Sequence, residues 1–159
     1  MNNDIYNSPS SNVEVRNTKP LSAFKVIAVS TAIDIGGSLI FGIATGILYV
    51  MYLSAHGYSE KDMLAKLDNF ETLSVFGLIT GAVGLLISLY AGYYCAKKSS
   101  VKVYRNTSIL CSISCAVSFL TTMSRHSIFE NLALTALTAI AIFTGAYLKT
   151  KNSIRLSAI

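Results

Sequence analysis

Val26 to Leu53 reads VIAVSTAIDIGGSLIFGIATGILYVMYL, twenty-eight residues with one charged side chain, Asp34. About twenty apolar residues cross a hydrocarbon core of roughly 30 Å, and any excess is taken up by tilt. A buried carboxylate costs about 2.5 to 3.5 kcal/mol on the insertion scale. Thirteen of the twenty-eight residues are Val, Ile, Leu or Phe. At roughly −0.3 to −0.6 kcal/mol each they contribute on the order of −4 to −8 kcal/mol, so the segment inserts despite Asp34. Ser30, Asp34, Ser38 and Gly42 recur every fourth residue, with Thr45 and Gly46 next. This spacing gives the helix one stripe suited to protein contact, with the rest suited to lipid.

Outward from this stretch, the composition supports the same reading. The chain has 159 residues, 52% of them apolar and only 13% charged, and a net charge of +5. That is about half the charge density of a soluble domain. Its basic residues fall in short stretches between apolar runs, which is a topology signal and not a nucleic-acid footprint.

In chain order, residues 1–20 are rich in Asn and Ser, with Pro9 and Pro20, and predict a polar, mobile tail. The membrane domain is expected over 21–149, with a short second tail at 150–159. Between Ser54 and Glu71 lie four acids and two lysines. Ser59-Glu60-Lys61-Asp62 suits a helix N-cap, and Met63, Leu64, Leu67 and Phe70 share a face. A short amphipathic helix on the outer membrane surface is predicted there.

A second span, Leu73 to Ala96, carries Gly77, Gly81, Gly84, Ser88 and Gly92 at helical spacing, so all five share a face suited to close helix packing. Tyr90, Tyr93 and Tyr94 precede Lys97 and Lys98, an aromatic belt and a basic stop. The third span, Thr107 to Met123, has six Val, Ile, Leu or Phe residues against seven Ser or Thr. Its insertion gain is therefore only roughly −2 to −3.5 kcal/mol, and it is expected to enter as a hairpin with a fourth span, Ile128 to Leu148.

Ten of the thirteen basic residues fall on one side of this four-span pattern and three on the other. The positive-inside rule puts both termini in the cytoplasm. There is also an internal echo. Tyr90-Ala91-Gly92-Tyr93-Tyr94 with Lys98 and Ser100 matches Phe143-Thr144-Gly145-Ala146-Tyr147 with Lys151 and Ser153. Either a duplicated two-helix unit or interface chemistry alone produces such spacing.

Tyr6-Asn7-Ser8-Pro9, Asp34-Ile35-Gly36-Gly37-Ser38 and Ala91-Gly92-Tyr93 together resemble a loose group of small bacterial inner-membrane proteins that have no assigned activity. Members often carry Asn-Pro-Tyr-x-x-Pro near the start and Gly-Gly-Tyr at the end of the second span. Here Ile5 replaces the first proline of one motif and Ala91 the first glycine of the other. The resemblance covers about the first hundred residues and implies a location, the inner membrane, without a reaction.

Catalytic and metal-binding patterns are missing from the sequence. His56 and His126 are isolated, and Cys95, Cys111 and Cys115 lack further ligands at metal spacing. No P-loop, G-x-S-x-G, H-E-x-x-H or paired intramembrane carboxylate occurs. The expectation is an all-α, four-helix membrane bundle with no enzymatic activity, cofactor or metal, whose partners are lipid, a second copy or another membrane protein. Counting 1.5 Å per residue from the basic ends of their helices places Asp34, Ser88 and Ser114 at one depth, roughly 11 to 12 Å in. Those serines, with Ser38 one turn along, are the expected company of Asp34. Asp34 is then either a hydrogen-bonding anchor in a packing or accessory protein, or the proton carrier of a small-solute transporter or channel working as a homo-oligomer.

Overall fold

The computed structural model describes residues 22–68, 74–99, 102–123 and 127–156. Of these, 92% are helical and none lies in a strand. The polar tail expected over 1–20, Phe70 of the amphipathic face, and Arg125 and His126 of the last turn lie outside the described residues.

The first apolar stretch forms one long helix, α1, Ala23–Ala55. Ser22 opens it, its Oγ accepting the Lys25 N–H at 3.4 Å. Its end is set by Gly57, whose φ of 78° is the left-handed conformation that glycine adopts without a Cβ penalty. There the N–H of Gly57 donates to the Ser54 carbonyl at 3.0 Å and that of Tyr58 to the Leu53 carbonyl at 3.3 Å. This pairing satisfies two of the carbonyls that a helix end leaves open. Glu60–Asp68 follows as α2, capped as the sequence suggests: Ser59 Oγ accepts the Asp62 N–H at 3.3 Å and donates to Asp62 Oδ2 at 2.7 Å.

Helix α3 is Val75–Lys98, α4 is Val103–Thr122 and α5 is Ile128–Leu156. Three helices are long and apolar enough to cross a membrane, namely α1, α3 and the Ile128–Asn152 portion of α5. At 20 residues α4 has the length but not the apolar content, since Ser and Thr occupy seven of its positions. Helix α5 continues past Leu148, where the fourth span was expected to end, and through 150–156, where a tail was expected. No Gly or Pro interrupts 149–156, and Lys149 and Lys151 sit favourably near the negative end of the helix dipole.

The α4–α5 hairpin is fastened at both ends. At the turn, Thr122 donates its hydroxyl to Asn131 Oδ1, and Asn131 Nδ2 donates to the Phe119 carbonyl at 3.2 Å. At the far end, Tyr104 and Thr150 pair their hydroxyls at 3.4 Å. Asn106 Nδ2, in the first turn of α4, also reaches back to Ser99 Oγ at 3.0 Å, closing α4 onto the end of α3. Helices α3 and α5 therefore run in the same direction, with α4 returning between them.

The most extensive helix contact is between α3 and α5. A β-carbon at Gly92 would come within 2.8 Å of the Ile142 carbonyl carbon, and one at Gly145 within 2.8 Å of the Tyr93 nitrogen and 2.9 Å of the Leu89 carbonyl carbon. Backbones approach this closely only where both positions lack side chains. Val26, Ala91, Cys95, Leu110, Cys111 and Ile142 form the buried apolar core around this crossing, with Ile33, Cys115 and Ala139 packed against it. Large apolar side chains elsewhere point outward, including Leu39, Ile40, Ile43, Ile47 and Met51 along α1. An apolar exterior of this kind suits lipid as its solvent.

Candidate functional site

Asp34 lies on a five-residue π-helical turn, Ala32–Gly36, inside α1. Such turns widen a helix by one residue and re-aim the side chains on it. The aspartate is 4% exposed, and its Oδ1 accepts the hydroxyl of Ser88 at 2.6 Å. This bond joins α1 to α3 inside the bundle, and Ser88 is itself buried. Of the two glycines after Asp34, Gly37 faces α3 and Gly36 faces open space. A β-carbon at Gly37 would meet Ile87 Cγ2 at 3.1 Å, so glycine lets α1 lie close enough to α3 for a short aspartate to reach a short serine.

Ser114 differs from the expectation. It is 3% exposed, yet its hydroxyl has no hydrogen-bond partner among the described residues, and the bond to Asp34 comes from Ser88. Equal depth does not decide which way a serine faces around its own helix. Ser38 is half-buried and takes no part in the Asp34–Ser88 bond. Ser30, one turn before Asp34, is fully buried and donates to the Val26 carbonyl at 2.8 Å, an internal helix bond. Thr31 Oγ1 is buried without a partner among the described residues.

The glycine face of α3 is used unevenly. Gly77 is buried in the cap turn, its N–H donating to Ser74 Oγ at 3.1 Å. Gly81 and Gly84, like Gly42 on α1, have open space where a β-carbon would stand. Of Gly42, Gly81, Gly84 and Gly92, Gly92 alone is closely packed, and its mate is Gly145. The sequence places Gly145 in the internal echo without marking it as a packing position. The signal that could have singled it out is the internal echo, in which Gly92 and Gly145 are equivalent positions, as are Leu89 and Ile142. Each glycine faces the backbone of the other's equivalent neighbour.

Two further buried polar residues, Asn106 and Asn131, were not anticipated; each is 2% exposed. Both serve the α4 connections already described, although Asn106 Oδ1 has no partner among the described residues. The cysteines are free, with Cys111 and Cys115 Sγ atoms 3.8 Å apart on successive turns. Among the described residues no three His, Cys, Asp or Glu side chains converge on a point where a metal could sit. His56 is exposed, its Nδ1 at 2.8 Å from the Tyr52 carbonyl and its ring against that of Tyr52.

Comparison with protein-family models, with curated proteins and with solved structures finds no match to this chain.

Proposed function

We propose that this chain is a non-catalytic packing or assembly component of a bacterial inner membrane, crossing it four times with both termini in the cytoplasm. The observation that carries the reading is the buried Ser88–Asp34 bond, which spends the one intramembrane acid on joining two helices. The fourth crossing is supported by direction. Helices α3 and α5 run the same way, so the chain between them has to return through the same thickness, and α4 is the segment that does so. Its Ser and Thr residues are tolerable because neighbouring helices cover them; Thr107 and Ser114 are buried. Helix α2 would lie on the outer surface, Leu64 exposed toward lipid and Lys66 over the Tyr58 ring. The inner-membrane location rests on the distribution of basic residues and on the resemblance of Asp34-Ile35-Gly36-Gly37 and Gly92-Tyr93 to the small bacterial group.

A second reading draws on a different observation. The π-helical turn at Asp34 and the unpartnered buried hydroxyls of Thr31 and Ser114 suit a proton-carrying site in a small-solute transporter or channel, with two copies of Asp34 in a homodimer. Asp34→Asn separates the two. Asparagine keeps an acceptor for Ser88, so an anchor survives the change and the cell keeps the protein's contribution. A proton carrier loses function completely while the bundle stays assembled. Detergent stability and a growth or complementation assay, run on the same variant, read both outcomes.

A further inference from the structure

The end of the bundle where α3 and α5 stop and α4 begins carries a concentrated positive charge. Lys97, Lys98, Lys102, Arg105 and Lys151 are exposed there, and Lys149 is half-buried. Among the described residues no carboxylate lies at this end; Glu60, Asp62 and Glu130 belong to the other. The arrangement follows from the packing. Gly92 and Gly145 hold α3 and α5 in close contact and the two helices run the same way, so Lys98 and Lys151, equivalent positions of the echo, lie at the same end of the bundle. Tyr104, bonded to Thr150, brings the first turn of α4, with Arg105, against the same pair of helix ends. Five lysines and an arginine, from α3, from α4 with its N-cap and from α5, thus stand at one end of the bundle, where the apolar surface ends. Long basic side chains at that level reach out to the headgroup layer.

We propose that this basic end binds an anionic phospholipid, its phosphate held between the α3 and α5 lysines with Arg105 beside it. The proposal rests on the membrane reading above and adds a ligand to it. Charge complementarity identifies the ligand, since basic pockets between membrane helices attract acidic headgroups, and a lipid brings its phosphate to the height at which these side chains stand. Phosphate free in solution offers the same charge but no acyl chains to lie along the apolar flanks of the helices.

Full-length protein in a mild non-ionic detergent is tested by native mass spectrometry with phosphatidylglycerol or phosphatidylcholine at equal concentration. The wild type should retain phosphatidylglycerol about tenfold more than phosphatidylcholine, and millimolar inorganic phosphate should not displace it. The triple change Lys97→Gln, Lys98→Gln and Lys151→Gln should erase the preference, while Lys61→Gln with Lys66→Gln at the other end leaves it intact. Equal retention of the two lipids by the wild type overturns the proposal even if the triple variant does not fold. Displacement by inorganic phosphate, or equal loss in the Lys61 and Lys66 variant, overturns it as well. Flotation with phosphatidylcholine vesicles tests the underlying reading separately. A protein that floats yet shows no lipid preference defeats this proposal alone, and one that does not float defeats the membrane reading too.

Discussion

Gly92 and Gly145 are the two residues whose replacement the packing tolerates least. A methyl group at either would press on the backbone of the facing helix, and backbone cannot rotate away as a side chain can. Gly92→Ala and Gly145→Ala should each cost about 1 to 3 kcal/mol, measured as loss of thermal stability in detergent. The same change at Gly81, where open space surrounds the missing side chain, should be neutral or slightly stabilising because alanine favours a helix. Sequence spacing placed Gly77, Gly81, Gly84 and Gly92 on one face, and that much was legible. Which part of the face meets another helix depends on where a second small residue sits, and that residue lies fifty-three positions away, from Gly92 to Gly145. Asp34 and Ser88 could be matched by depth because each is counted from a basic helix end. Ser114 matched in depth as well and is buried, but its hydroxyl has no partner among the described residues.

At the scale of elements, Gly57 ends α1 and sets the direction of α2. Its φ of 78° is costly for any residue with a β-carbon, so Gly57→Ala should destabilise the α1–α2 junction by about 1 kcal/mol. Hydrogen exchange should then accelerate at Tyr58 and in α2 while α3 is unchanged. The α4–α5 hairpin offers a second case. Asn131→Leu removes both the acceptor for Thr122 and the donor to Phe119, and it should loosen that turn by about 1 to 2 kcal/mol. Hydrogen exchange at Met123 and Asn131 is the sensitive readout. Helix existence was legible throughout, since apolar runs mark α1 and α3 and the Ser59 cap marks α2, whereas the Ser22 and Ser74 caps were seen only in the structure. The extension of α5 was not, because basic residues mark where a membrane span ends and not where a helix does. The π-helical turn carries no local signature either; it lies where α1 packs against α3.

Over the whole molecule, the charged ends and apolar flanks predict a single orientation. On the proposed topology, reporters fused at the C-terminus and after Lys102 read cytoplasmic and one after Lys61 reads external; an external C-terminus would contradict four crossings. Two of the interactions that hold the bundle differ in kind, the glycine crossing of α3 with α5 and the polar bond of α1 to α3. Only the second involves the intramembrane acid, and the claim that Asp34 is a helix-joining anchor stands on it. A double-mutant cycle of Asp34→Leu and Ser88→Ala, read as thermal stability in detergent, measures that bond directly. The anchor predicts that each single change destabilises and that the two together cost less than their sum by about 1 kcal/mol, within the range of interhelical polar bonds in membranes. Strict additivity, or an Asp34→Leu protein as stable as the wild type, would contradict it.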